Sequence, residues 1–249
     1  MNKIKSPLGI LIAVCVLSAA AAAIFYSSVK VKDEEGNSLS LIEKLFKENN
    51  ISVNADGLGG INPANNLPQI IEEDHLWGDI KNPVKIIIYS DFECPFCAKL
   101  SKDIEKVKSE YGGKVVIAFR HRILASHPAA MPAALASECA AEQGKFWEMH
   151  DKLFEDAGES NLTVEEFKKD GRELGLKMEK FTECLTTEKY KTKITNQMNL
   201  GKQAGADGTP TFFVNGEVYP GAYPYEDFVG SDGGANKGLK SIIERHLAR

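Results

Sequence analysis

Residues 84–97 read Val84-Lys85-Ile86-Ile87-Ile88-Tyr89-Ser90-Asp91-Phe92-Glu93-Cys94-Pro95-Phe96-Cys97. The apolar run Val84–Tyr89, flanked by Pro83 and Asp91, reads as a short buried strand. Two cysteines follow with two residues between them, and the stretch from Ala98 to Tyr111 has the composition of a helix. A strand-to-helix junction suits thiol–disulfide exchange. A helix start offers unpaired N–H groups and a partial positive charge, and both favour a thiolate over a thiol. Cys94 is therefore expected to be exposed and to attack, and Cys97, one turn inward, to resolve the mixed disulfide. Pro95 falls in the first turn, where its missing N–H costs nothing. Pro95 and Phe96 carry no charge, so they tune the redox poise while the field at Cys94 comes mainly from the helix. Glu93 would oppose that field if ionised nearby. Otherwise it reads as a solvated residue at the helix start.

Outward from this stretch, Gly112-Gly113 ends the helix, and Lys114–Arg120 is a second strand, completing a β-α-β unit. From Ala129 the pattern is helical for about 75 residues. Ala133, Leu135, Ala136, Ala140 and Ala141 give one compact helix. Phe146, Met149, Leu153 and Phe154 share a face of the next. Thr163, with Glu166 three positions on, is a capping box for Val164–Leu174. Lys177–Thr186 and Thr187–Ala204 are further helices. Thr211–Val214, Asn215-Gly216 and Glu217–Tyr219 then read as a hairpin, and Gly238–Leu247 as the last helix. The fold class is α/β: a thioredoxin-like β-α-β … β-β-α order with a helical insertion at about 129–205.

The N-terminal part differs in character. Lys3 and Lys5 precede an uncharged apolar run from Ser6 to Val29. Residues 1–29 thus read as a signal peptide or membrane anchor. Ala19–Ala23 offers small-residue cleavage sites, while Ile24, Phe25 and Tyr26 extend the run to spanning length. Either way the remainder is placed outside the cytosol. Cys15 within the run is a membrane-buried or discarded thiol. Residues 30–74 read as a linker: a charged start, one short amphipathic helix over Ser40–Asn49, then the Asn/Gly/Pro-rich stretch Asn54–Pro68. The folded domain is placed at 75–249.

The 249 residues are 43% hydrophobic and 26% charged, ordinary for a globular chain. The net charge of −5 and the lack of basic–aromatic interleaving exclude nucleic acid as an expected partner. The exported part holds Cys94, Cys97, Cys139 and Cys184, which allow three disulfide connectivities. With Cys94 and Cys97 adjacent, Cys139–Cys184 is the natural structural disulfide, two free buried thiols being the alternative. No second CxxC or spaced histidine pair completes a zinc site, so no metal and no cofactor is expected. His121, His127 and His150 have no spaced partner and read as core or surface histidines. Gly208-Thr209-Pro210-Thr211 enters the strand Phe212-Phe213-Val214, a place for either a cis bond or an ordinary trans proline. A cis bond there would present the Thr209 backbone to a client peptide, making Thr209 and Pro210 candidate substrate-binding residues.

Three segments in this order resemble the DsbA-like thiol:disulfide oxidoreductases of the thioredoxin superfamily. They are Pro83-Val84-Lys85-Ile86 through Cys97, then Cys139-Ala140 … Gln143-Gly144-Lys145-Phe146-Trp147, and Gly208-Thr209-Pro210-Thr211-Phe212-Phe213-Val214-Asn215-Gly216. The resemblance covers about residues 75–249. It implies a thioredoxin fold with inserted helices, a cis bond before Pro210 and periplasmic residence; unfolded exported proteins as substrates, a membrane redox partner and a monomer are expected beside it. The chain departs from the archetype of that family at Phe96, where the archetype has His, and at Thr209, where it has Val, as well as in the pair Cys139/Cys184. The expected activity is the introduction of disulfides through Cys94–Cys97. A disulfide isomerase or reductase of the same fold is the alternative, and a Cu(I) carrier using the two thiolates is one from another class. Isomerases of this type usually dimerise through an N-terminal domain, for which residues 30–75 look too short.

Overall fold

A computed structural model describes Lys30–Lys32, Ser38–Ser40, Ile61–Asn62 and residues 67–249 apart from 72, 231 and 232. The expected signal or anchor over 1–29 and the short helix over Ser40–Asn49 lie, but for Ser40, outside the described residues. The chain divides into two units, 1–59 and 60–249. In the first, β1 (Lys30–Lys32) pairs antiparallel with β2 (Ser38–Ser40).

The second unit carries the rest. A two-residue pair, β3 (Ile61–Asn62) with β4 (Leu67–Pro68), precedes a five-stranded sheet. Its strands are β5 (His75–Trp77), β6 (Val84–Ser90), β7 (Val115–His121), β8 (Thr211–Val214) and β9 (Glu217–Pro220), in the order β5-β7-β6-β8-β9. Only β6 and β7 run parallel, with Val84 opposite Val115 and Ser90 opposite His121. Between them lies α1 (Pro95–Tyr111), the crossover that a parallel pair requires. β6 is central, and all its residues but Lys85 are buried. Alternation sends Ile86 and Ile88 to one face, against Leu100, Ile104 and Val107 of α1 and Ile242 and Ile243 of α7 (Leu239–Leu247). It sends Ile87 and Tyr89 to the other, with Ala118 and Phe213.

Between β7 and β8 the chain forms α2 (Ala130–Ala141), α3 (Phe146–Gly158), α4 (Val164–Glu173), α5 (Met178–Thr186) and α6 (Lys191–Gln203). A short pair, β10 (Phe228–Val229) with β11 (Ala235–Asn236), precedes α7. The insertion has its own core of Ala133, Ala136, Phe146, Met149, Leu153, Phe167 and Phe181, which Phe92 and Phe119 join from the sheet side. Within this core Cys139 and Cys184 are bonded, closing a separation of 45 residues. A loop of that size is worth about 4 kcal/mol in the chain-entropy account.

Several sequence expectations shift. β5, an antiparallel edge strand on β7, is a three-residue stretch with no alternation to reveal it. Packing also begins ahead of residue 75, because the fully buried Arg120 reaches back to both Asp74 and the Gln69 carbonyl. α1 does begin with Pro95 in its first turn, as read, with Cys94 at its N-cap. α5 and α6 are separated at Glu188, whose φ of 48° is left-handed. The hydroxyls of Thr186 and Thr187 donate back to carbonyls of the preceding turn and help end α5. Only half of the capping box forms. Thr163 Oγ1 accepts the Glu166 N–H, but the Glu166 carboxylate turns to Lys169. At the hairpin, Asn215 and Gly216 both take positive φ, and the Asn215 side chain accepts the Lys85 N–H at 2.8 Å, fixing the turn to β6. Among the described residues no helix is long and apolar enough to cross a membrane.

Candidate active site

The two cysteines sit where β6 runs out and α1 begins. The turn between them is set by Asp91, which is buried and fully engaged. Its Oδ1 accepts the Glu93 N–H at 2.8 Å. Its Oδ2 accepts the Leu124 N–H at 2.9 Å and the His127 Nδ1–H at 2.8 Å. Glu93 Oε2 accepts the Ala129 N–H at 2.6 Å, so it is a tether to the start of α2 rather than a solvated residue. Two carboxylates thus clamp the loop after β7 against the strand-to-helix junction.

Cys94 and Cys97 are both free thiols. Contrary to the expected exposure of the first, Cys94 is only 3% exposed and Cys97 1%. Between them Pro95 is exposed and Phe96 is 63% exposed, an apolar ring facing solvent. The Thr209–Pro210 peptide bond is cis, and the Thr209 carbonyl oxygen accepts from the Cys94 thiol at 3.4 Å. The structure therefore brings together Cys94, Cys97, Thr209 and Pro210, which lie more than a hundred positions apart in the chain. Cys139 and Cys184 lie in the core of the insertion instead.

The sulfurs differ in acidity although both are buried. Cys94 is lowered to about 5. The leading cause is the hydrogen bond from the Cys97 thiol. Burial opposes it, and the Thr209 side chain and the N–H groups of Cys97 and Phe96 assist. The field expected mainly from the helix thus ranks behind the neighbouring thiol. Phe96 contributes through its backbone N–H, which Pro95 lacks. No hydrogen-bond partner holds the buried Thr209 Oγ1, which leaves its proton free for the sulfur anion. Cys97 moves the other way, chiefly because burial penalises its charged form and then because of Cys94 itself. Its Sγ accepts the Asp91 N–H at 3.4 Å, and Ser90 offers a second donor.

The histidines read as having no partner each have one. His127 pairs with Asp91. Burial disfavours its charge, but Asp91, Cys94 and Glu93 together raise its pKa above the ordinary value. His121 Nε2 and His75 Nε2 both donate to Glu138 Oε1, at 3.1 and 3.0 Å, and Lys193 reaches Glu138 Oε2 at 2.8 Å. His150 donates from Nδ1 to Asp151 at 2.8 Å. With Ser90, Cys97, Phe119 and Phe154 it lines a cavity of about 10 Å³ beside the Cys97 sulfur. Of the site residues, sequence reasoning missed Asp91 and read Glu93 and His127 in other roles. The one signal available was two acids just before the cysteine pair.

A sequence-family profile described as Thioredoxin matches residues 71–230. The chain belongs to the thioredoxin family. The solved structures it is similar to include BdbD from Bacillus subtilis in its oxidised form. That likeness is 23% identical with a TM-score of 0.59, covering 77% of this chain and 98% of that one. Alpha-DsbA1 from Wolbachia pipientis is also 23% identical at 0.59, over 74% and 96%. A thioredoxin-like oxidoreductase from Silicibacter pomeroyi is 21% identical at 0.58, over 72% and 95%. At these identities the likeness shows a DsbA-like fold. Among curated proteins, a Na(+)/H(+) antiporter NhaA 3 of Salinispora tropica is 36% identical over 161 residues, 64% of this chain and 24% of the relative. An NhaA 1 of Salinispora arenicola is 34% identical over the same shares. The chain spans about a quarter of the length of these relatives, and antiport is an activity of those proteins.

Proposed function

We propose that this thioredoxin-family domain is a thiol:disulfide oxidoreductase that introduces disulfide bonds into client proteins through Cys94 and Cys97. The observation that carries the reading is the opposite displacement of the two thiols, with Thr209 against the more acidic one. In the oxidising direction a client thiolate attacks Cys94 of the Cys94–Cys97 disulfide and expels the Cys97 thiolate, which takes up a proton. A second client thiolate then attacks the client sulfur of the mixed disulfide and expels Cys94. A leaving thiol with a pKa of about 5 departs readily. A buried Cys97 held as a thiol is a poor competitor for the mixed disulfide. Both features favour release of an oxidised client. The exposed Phe96 ring and the Thr209 backbone offer the client an apolar contact and strand-like pairing.

The domain acts outside the cytosol, in the periplasm. Support comes from the charged head and apolar body of residues 1–29 and from the structural Cys139–Cys184 bond. It works as a monomer on unfolded exported proteins, and a membrane redox partner reoxidises it. Cys94→Ala abolishes peptide oxidation, and Cys97→Ala accumulates mixed disulfides with clients. Full turnover by Cys94→Ala refutes the assignment. The direction is read from the reduction potential. A value near about −120 mV marks an oxidase, and one near about −270 mV a reductase.

A further inference from the structure

We propose that Asp156, Glu166 and Asp170 form a binding site for one hard divalent cation, Ca2+ in preference to Mg2+, inside the helical insertion. Asp156 lies in the last turn of α3. Glu166 and Asp170 are four positions apart on one face of α4. One carboxylate oxygen from each comes within 4.8 Å of the others. Asp156 is 7% exposed and Asp170 2%, and each keeps a buried Oδ2 with no hydrogen-bond partner. A buried carboxylate oxygen without a donor is costly, and here two neighbouring carboxylates each carry one. The nearest lysines are engaged elsewhere. Lys152 sits on Glu173 and stays 3.7 Å from Asp170 Oδ1, while Lys169 sits on Glu166. Four carboxylates therefore share two lysines, a deficit that an ion of charge 2+ fills.

The donors are all carboxylate oxygen, with no imidazole or thiolate, which selects a hard cation. A Ca2+ ion holds oxygens at about 2.3–2.6 Å in flexible geometry and spans such a cluster as it stands. Mg2+ demands about 2.0–2.1 Å and near-ideal octahedral placement. With three protein ligands, binding falls in the weak range of about 10⁻⁴–10⁻³ M. The ion would bridge the end of α3 to α4. This inference does not depend on the redox reading.

The test is the thermal midpoint of the full chain, stripped with chelator, at neutral pH against CaCl2, with MgCl2 and NaCl at matched ionic strength. Ca2+ in tenfold excess over its dissociation constant raises the midpoint by about 3–6 °C, saturably. MgCl2 raises it less at equal concentration, and NaCl does not raise it. The shift is lost in Asp170→Asn and in the half-buried Glu166→Gln, which keeps the folded core intact if the first fails to fold. No Ca2+ shift, an equal shift with Mg2+, or an unchanged Ca2+ shift in Glu166→Gln overturns the proposal. An Asp170→Asn variant more stable than wild type in millimolar Ca2+ also overturns it, showing that the pair shares a proton instead.

Discussion

Replacing Cys97 separates the two sources of thiolate stabilisation at Cys94. In the structure the hydrogen bond from the Cys97 thiol leads, with the Thr209 side chain and two backbone N–H groups behind it. Cys97→Ala removes the leader and leaves the others. Cys94, now at about 5, is expected to rise by about 1–2 units, since a single charge-assisted hydrogen bond is worth roughly that much. At pH 6 the thiolate fraction then falls from about 90% to between about 50% and 10%, a roughly two- to tenfold loss. Cys97→Ser keeps an O–H donor in the same place and should titrate within about half a unit of the wild type. The assay is the rate of iodoacetamide alkylation against pH on the reduced proteins, with mass spectrometry confirming Cys94 as the site. Two results refute the reasoning. If Cys97→Ala and wild type titrate alike, the helix start and Thr209 hold the anion without the Cys97 thiol. If Cys97→Ser raises the Cys94 pKa as far as Cys97→Ala does, the neighbouring donor is irrelevant.

Asp74→Ala strips the buried Arg120 of its carboxylate partner at 2.7 and 2.8 Å, leaving neutral acceptors, the Tyr89 hydroxyl and the Gln69 carbonyl among them. The expected loss is about 3–5 kcal/mol in urea unfolding, and a loss below about 1 kcal/mol would show that the pair is not buried in solution. Cys139→Ser with Cys184→Ser should lower stability by about 3–4 kcal/mol, read from the same transition, while leaving the alkylation profile of Cys94 in place. Burial holds His121 below its ordinary value of 6.5. The unfolded chain therefore takes a proton that the folded one refuses. The stability concerned is complete above about 6.5 and is lost as the pH falls. Stability measured between about pH 7 and 5 should fall more steeply for the wild type than for His121→Gln. Parallel slopes would contradict this sign.

What the sequence revealed follows from how local each determinant is. Val84–Tyr89, Pro95 at the helix start and Asn215-Gly216 are read within a few residues, and each stands where the pattern places it. The Cys139–Cys184 bond followed from cysteine arithmetic. The interactions that shape the site span long separations. Asp91 and Glu93 each find their partner 36 positions on, and Arg120 reaches back 46. Nothing in a periodicity links such residues. The end of α5 at Thr186 stands where it was read, but the start of α6 at Lys191 rather than Thr187 was hidden, since Thr187-Glu188-Lys189-Tyr190 contains neither glycine nor proline.

Burial opposes the charge at both sulfurs and leads at Cys97, whereas at Cys94 hydrogen-bond donors outweigh it. Cys94 stands at the N-cap, where the Phe96 N–H has no helical carbonyl to serve and the Cys97 N–H, bonded to the Cys94 carbonyl at 3.0 Å, also assists, and Thr209 closes over it from just before β8. One turn on, Cys97 finds only the Asp91 N–H and Ser90, and its own thiol proton is turned toward Cys94. The proton is therefore held by the inner sulfur and the charge by the outer one. That division needs the backbone at residues 90–94 to stay fixed, and Asp91 fixes it by accepting from Glu93, Leu124 and His127 at once. Since Glu93 in turn holds Ala129 at the entry to α2, the helical insertion and the cysteine pair share one anchoring loop. Displacing the insertion would move the turn that carries Cys94.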